Sequence, residues 1–282
     1  MKLSPAHQQY ADAFAQLQKN FSDCSIPPEL TNEMLERFIP VAFEKGSLVF
    51  SEGSTDDILA CVLSGYVKVY CPLADGNRTL MRLAGPGEVI GYAEYRNERG
   101  KRARMFEAVC SSKCMLALIS RDHVTRTLRS LSAESLVRVV ESLNMFWSSM
   151  VRCFATLLTL PYWNRLETVL ADIALRAGVA DSRGTILLPE LVHEDLAEMI
   201  GCSRPMVSRI ISEMTERGMI ARNGHHYILL GNWDLEQLRA QALGPSEFGP
   251  VAISGGMARS NGNHQSVREP GESPRVIARA AD

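Results

Sequence analysis

Residues 193–220 read HEDLAEMIGCSRPMVSRIISEMTERGMI, and this stretch decides the fold. Leu196, Ala197 and Ile200 recur at the spacing of a helix's inner face, and Val207, Ile210, Ile211 and Met214 do the same further on. Two short helices are predicted, over 193–200 and 204–217, with Gly201-Cys202-Ser203 as the turn and Gly218 as the stop. Strands are predicted over 219–222 and 225–230, around Asn223-Gly224, a two-residue hairpin signal. Upstream, Pro161 opens a helix that Gly178 ends, and 185–188 is a short strand. Helix, tight turn, helix and hairpin in this order is the plan of a winged helix-turn-helix.

With the apolar positions facing inward, Arg204, Met206, Ser208 and Arg209 are left to point outward from the amino-terminal half of the second helix. From such positions a recognition helix meets base edges in the major groove. Arginine suits the O6 and N7 acceptors of guanine, and serine reaches bases or phosphates. Ser203 is expected as the N-cap, and Pro205 sits in a first turn that tolerates it. The helix amino terminus also offers backbone N–H groups to a phosphate. His193, Arg222 and His225 are further phosphate-contact candidates, on the first helix and the wing. Two arginines alone would read as a solvated surface; the complete helix-turn-helix-wing pattern turns the reading to DNA. Against it stand Glu190, Glu194, Asp195, Glu198, Glu213 and Glu216, so binding would rest on a few well-placed cations from two chains. The same acids support an alternative, a sensor or interaction protein whose winged helix contacts protein.

Working toward the amino terminus, Leu136, Val140, Leu143, Trp147, Met150, Phe154 and Leu157 are separated by 4, 3, 4, 3, 4 and 3 residues. That is a heptad seam with Ser132 as N-cap, and it predicts a homodimeric coiled coil over 132–160. One long helix packed on its own sheet is the alternative that three repeats leave open. A second stripe, Val139, Phe146 and Cys153, is placed to face the chain's own β-unit.

Between residues 40 and 120 the texture is β-rich. Apolar runs at 48–50, 58–63, 66–70, 79–83 and 114–119 are broken at Gly46, Gly53, Gly65, Asp75-Gly76 and Gly85-Pro86-Gly87. Short strands at this spacing predict an antiparallel sandwich or barrel. Residues 4–20 read as a polar-faced helix ended by Ile26-Pro27-Pro28, and 29–38 as another with Met34, Leu35 and Phe38 on one face. A last short helix has Asn232 as its expected cap, and the Gly/Ser/Pro/Asn-rich stretch 244–282 is expected to be disordered.

The 282 residues are 46% hydrophobic and 22% charged, which excludes a wholly disordered or fibrous chain. No apolar run approaches the roughly 20 residues of a membrane span. The opening MKLSPAHQQYADAF lacks the apolar block of a secretory signal, so a cytoplasmic location without membrane contact is expected. The net charge of −2 places any nucleic-acid binding on a local patch. Cys24, Cys61, Cys71, Cys110, Cys114, Cys153 and Cys202 read as reduced thiols, and Cys110 and Cys114 lack further ligands at zinc spacing, so no metal is expected. No phosphate loop, Gly-x-Ser-x-Gly elbow or His-Glu-x-x-His helix is present, which argues against an enzyme.

The order of segments resembles the CRP/FNR family of bacterial transcription regulators over about residues 29–240. The resemblance is carried by AFEKGSLVFSEGSTDDILACVLSGYVKVY (42–70), DGNRTLMRLAGPGEVIGY (75–92) and GCSRPMVSRI (201–210). It implies an α+β fold: an antiparallel β-roll sensor over 29–131, a dimerisation helix over 132–160 and a C-terminal winged helix-turn-helix over 161–243. An N-terminal helical extension (1–28) and a tail (244–282) flank these. The implied function is effector-controlled binding of a homodimer to two-fold DNA, with RNA polymerase as a further partner. Arg204 and Arg209 match the family's base-reading arginines, and Ser208 matches a contact in some branches. Pro205 departs, because many members carry there a glutamate that accepts from cytosine.

The sensor departs further from members that bind cyclic AMP. Their glycine-glutamate pair corresponds to Gly91-Tyr92, and their arginine-serine pair to Arg104-Met105 or Arg102-Ala103. Their two hydroxyl residues on the dimer helix fall near Met150 and Val151. Each loss leaves ligand polar groups unpaired at about 1–3 kcal/mol, which argues against cyclic AMP. An iron–sulfur cluster needs four cysteine ligands where Cys24 stands alone, and a haem lacks a persuasive axial pair. The effector is therefore unidentified. The pocket of Gly91, Tyr92, Arg102, Arg104, Met105, Trp147 and Met150 is expected to be apolar around Tyr92, Met105, Trp147 and Met150, taking an apolar effector or none. Cys110 and Cys114 read either as a redox pair or as small strand hydrophobes. Leu160-Pro161 is the expected hinge.

Overall fold

The computed structural model describes residues 36–91, 94–96, 100–231, 233–235 and 237–238, together with 15 and 32; for 94–96, 142, 145–150 and 152–157 it describes the backbone alone. The helices expected over 4–20 and 29–38 lie almost wholly outside the described residues, as do Tyr92, Asn232 and the stretch 244–282.

Among the described residues, ten strands build the first unit: β1 (Ile39–Phe43), β2 (Leu48–Phe50), β3 (Ile58–Ser64), β4 (Val67–Pro72), β5 (Arg78–Ala84), β6 (Val89–Ile90), β7 (Glu94–Arg96), β8 (Arg102–Arg104), β9 (Glu107–Cys110) and β10 (Cys114–Ser120). They form two antiparallel four-stranded sheets, β1-β10-β3-β6 and β2-β9-β4-β5, with β7-β8 as a separate ribbon. The chain's β-rich texture folds as the expected roll. Strand β3 is buried on both faces, which explains its unbroken apolar run. Ala60 and Val62 pack into the interior with Phe50, Val67 and Leu116. Leu59, Cys61 and Leu63 pack outward with Ala117 and Ile119, beneath Val124, Leu128 and Val139. Strands β6, β7 and β8, of two or three residues, are too short to show a period, and they are not among the expected runs. The β9–β10 turn needs a glycine opposite it. At Gly65 (φ +80°) an added Cβ would lie 2.4 Å from the Lys113 carbonyl oxygen.

Two helices follow, α1 (Arg121–Ser130) and α2 (Ala133–Thr159). Ser132 caps α2 as expected, its Oγ accepting the Ser135 N–H at 3.1 Å. Val139 faces the roll, while Leu136, Val140 and Leu143 on the seam are exposed. The side chains of Trp147, Met150, Phe154 and Leu157, and of Phe146 and Cys153 in the second stripe, lie outside the described residues.

The carboxy-terminal unit contains α3 (Tyr162–Ala177), β11 (Gly178–Asp181), β12 (Gly184–Leu187), α4 (His193–Ile200), α5 (Arg204–Glu216), β13 (Ile220–Asn223) and β14 (His226–Leu230). Its sheet runs β11-β12-β14-β13. Pro161 is the N-cap of α3, and Gly178 both ends that helix and begins β11. The wing's two-residue loop is Gly224-His225, one position later than expected. Asn223 pairs with His226, and Gly224 takes the positive φ the turn demands. Beyond the wing, Asp234 Oδ1 accepts the Gln237 N–H at 2.9 Å, the cap bond expected of Asn232. Leu83 of β5 joins the core of this unit, so the roll and the winged helix share packed surface.

Candidate nucleic-acid interface and sensor site

Helices α4 and α5 are held by Leu196, Ala197, Ile200, Val207, Ile210, Ile211 and Met214, all buried in one core. Gly201 turns the chain between them in the left-handed region (φ +69°), and the Cys202 N–H donates back to the Ala197 carbonyl at 3.0 Å. This turn leaves the amino-terminal half of α5 in solvent, where Arg204 and Arg209 are exposed. The other expected site residues are placed differently. Ser203 is the N-cap by backbone position, but its side chain makes no cap bond; its carbonyl accepts the Met206 and Val207 N–H groups. Met206 does not point freely outward: it packs against the core and its Sδ accepts from Arg209 Nη2 at 3.0 Å. Ser208 is likewise engaged, its Oγ lying 2.7 Å from His193 Nδ1. On the wing, Arg222 lies over the Tyr227 ring at 4.6 Å and donates to its Oη at 2.6 Å, and His225 is exposed at the turn.

His193 of α4 therefore meets Ser208 of α5, within the electrostatic reach of Arg222 and Arg204. The His193 pKa is lowered by its burial and then by the charges of Arg222 and Arg204, which keeps the ring neutral at neutral pH. The His193–Ser208 contact spans 15 residues and two helices, and no spacing rule in the sequence signals it.

The acidic residues that counted against DNA are largely engaged elsewhere. Asp195 is buried and receives Lys68 Nζ from β4 at 2.6 Å, while its second oxygen accepts the Val192 N–H. Glu190 pairs with Lys45 at 3.2 Å. Burial against β5 raises the pKa of Glu198, and its backbone carbonyl accepts from Thr79 Oγ1 at 3.1 Å. Glu213 pairs with Arg217, and Glu216 accepts from Ser212, both on the carboxy-terminal half of α5. Glu194 lies 4.0 Å from Arg204, one of the two outward arginines of α5's amino-terminal half. Asp195, Glu190 and Glu198 are thus turned to the roll, while Glu194 stays beside Arg204 and Glu213 and Glu216 stay on the carboxy-terminal half of α5.

In the roll, Arg104 points inward. It is 1% exposed, its guanidinium lies 3.9 Å from the centroid of the Phe50 ring, and it donates to the carbonyls of Gly91, Asp56 and Ile58. Gly91 (φ +94°) makes room for it, since an added Cβ would lie 2.6 Å from Arg104 Nη1 and 2.8 Å from Phe50. Arg102 and Met105 are both exposed. Among the described residues of the expected pocket, Arg104 is thus a buried charge and Arg102 and Met105 are exposed, while Tyr92 and the side chains of Trp147 and Met150 lie outside the described residues.

Comparison with known proteins bears on both units. Residues 40–130 match the cyclic nucleotide-binding domain family, and residues 152–240 match the Crp-like helix-turn-helix domain family. The chain belongs to the CRP/FNR family. Among the relatives of this CRP/FNR-type transcription regulator is the CRP-like cAMP-activated global transcriptional regulator of Mycobacterium tuberculosis. It is 24% identical, over 77% of this chain and 94% of that protein. The nitrogen fixation regulation protein FixK of Azorhizobium caulinodans is 25% identical, over 68% and 75%. A CRP-family transcriptional regulator from Thermus thermophilus has the same fold, with a TM-score of 0.56 at 22% identity, over 72% of this chain and 98% of that one. The global regulator CLP of Xanthomonas campestris gives a TM-score of 0.55 at 20% identity, over 72% and 99%.

The family match raises a cyclic nucleotide as the ligand of the roll, and the described residues do not fit one. A cyclic phosphate needs a cationic partner, and the buried arginine is already bonded to three carbonyls of the roll itself. Cys110 and Cys114 are buried in β9 and β10, and a hydrogen bond from Cys110 lowers the Cys114 pKa to about 7. Among the described residues, no helix is long and apolar enough to cross a membrane.

Proposed function

We propose that the chain acts in the cytoplasm as a homodimer that binds two-fold DNA through Arg204, Arg209 and Ser208, with His193, Arg222, His225 and Ser203 toward the phosphates and RNA polymerase as a further partner. The organisation is a roll (29–131), a dimer helix (132–160) and a winged helix (161–243). One observation carries the DNA reading: the outward half of α5 presents two exposed arginines, while Asp195 and Glu190 are tied to lysines of the roll. This arrangement leaves Glu194, Glu213 and Glu216 as the acids that support a protein-binding winged helix.

The dimer reading rests on α2. Leu136, Val140 and Leu143 are 37%, 55% and 60% exposed, an apolar seam that a second copy would cover. The effector remains open in chemical class. The relatives are named for different ones, cAMP for the mycobacterial protein and c-di-GMP for the Xanthomonas one, and Arg104 is committed to the roll's own backbone. Whatever enters the roll should therefore be read by groups other than this guanidinium, an apolar effector among them.

The test is a gel shift with duplexes selected from a random pool. Binding should weaken steeply as salt rises, and Arg209→Ala should lower affinity by about tenfold or more. Binding that ignores both salt and the substitution would return the protein-binding alternative.

A further inference from the structure

We propose, resting on the DNA reading above, that His193 is a positioning residue for sequence readout: by accepting the Ser208 hydroxyl proton at Nδ1 it leaves Ser208 as a hydrogen-bond acceptor toward DNA, matched to the exocyclic amino group of cytosine or adenine. The argument begins with the outward side chains of α5. Arg204 and Arg209 only donate, and so fit base acceptors. Pro205 has no N–H, and Met206 is packed inward with its sulfur on Arg209. Acceptor capacity on the amino-terminal half of α5 therefore lies in the hydroxyls of Ser203, at the cap, and Ser208, one turn along.

A serine hydroxyl carries one proton, and its direction decides whether the oxygen donates or accepts elsewhere. At 2.7 Å, His193 Nδ1 shares that proton or supplies its own. The neutral ring carries a single N–H, and the surroundings decide which nitrogen holds it. The charges of Arg222 and Arg204 both act on the ring, and those two side chains suit a phosphate. A phosphodiester presents only acceptor oxygens. A ring whose free nitrogen carried a lone pair would repel it, whereas an Nε2–H donates to it. The tautomer that suits the DNA backbone has Nδ1 as acceptor, which draws the Ser208 proton inward and turns the oxygen's lone pairs to the bases. Discrimination of the scale of one hydrogen bond follows, roughly three- to tenfold.

The experiment uses the full chain and a duplex that the wild type selects from a random pool at pH 7.5. Ser208→Ala should lose preference at one base pair per half-site, and His193→Ala should flatten the same pair, since the freed hydroxyl can donate or accept. His193→Asn should restore it, because Asn Oδ1 can accept the serine proton. At that pair, a base analogue without the major-groove amino group should cost the wild type roughly three- to tenfold and His193→Ala little. An analogue without the carbonyl oxygen should leave the wild type unchanged. Retention of the preference in His193→Ala, or sensitivity to the carbonyl and not the amino group, overturns the proposal. A wild type that selects no sequence overturns the DNA reading itself, so the two failures are told apart.

Discussion

In the roll, Arg104 is buried against Phe50 and bonded to three backbone carbonyls; on α5, Arg204 and Arg209 stand in solvent, one 4.0 Å from a carboxylate and the other against a thioether. The two regions hold the same guanidinium under opposite conditions. A buried charge persists only where its surroundings replace water, and carbonyl dipoles do that for Arg104. A solvated arginine has made no such commitment, so exchanging water for a phosphate or a guanine edge costs it little. Arginine in a binding-domain sequence is therefore not by itself a ligand contact. The carbonyls around Arg104 make it a strut of the roll, and their absence around Arg209 leaves it available.

The largest expected effect breaks the strut. Arg104→Ala should take their guanidinium donor from the carbonyls of Asp56 and Ile58, leave the Gly91 carbonyl to Arg121 Nη2 alone, and open a void beside Phe50. A loss of about 3–5 kcal/mol is expected in urea unfolding. Arg209→Ala should change stability by less than about 0.5 kcal/mol. Equal effects of the two substitutions on unfolding would erase the contrast.

The contrast was half legible in the sequence. Helical spacing gave α4 and α5, and with them the exposure of Arg204 and Arg209, because 3.6-residue periodicity over two helices fixes which side faces the core. Strand β8 has three residues, too few for alternation to tell the buried Arg104 from the exposed Arg102. Partners remote in sequence were not legible either. Asp195 reads as a surface acid until Lys68, 127 residues away, is folded onto it. The Ser203 cap was a sound local rule, yet the Met206 N–H of the first turn goes to the Ser203 carbonyl and not to its hydroxyl. The placement of Met206 was missed because a side chain on the edge of the inner face can turn either way.

A second, smaller test concerns how the acids are kept from α5. Lys68→Met removes the cation from Asp195, a residue 4% exposed, and leaves a carboxylate bonded to the Val192 N–H alone among the described contacts. A loss of about 1–3 kcal/mol is expected. Asp195→Asn in the Lys68→Met background should recover part of it, since the amide needs no counter-charge. Additive losses in the double variant would mean that the pair is not coupled.

The smallest effect sharpens the comparison at its polar end, where the His193 ring feels the charge of two exposed arginines. Burial, then Arg222 and Arg204, lower the His193 pKa from 6.5, and Ser208 is its hydrogen-bond partner. In the unfolded chain the ring binds a proton at a higher pH than in the folded one, so between the two values the unfolded state holds more protons and stability rises with pH. The contribution is fully present above about pH 6.5 and is lost as pH falls through the folded value. Without DNA, the wild type should lose more melting temperature than His193→Asn between pH 7.5 and 5.5. The asparagine keeps an acceptor for Ser208 but has nothing to titrate. Parallel curves for the two proteins would show that the cations of α5 and the wing do not act on this ring.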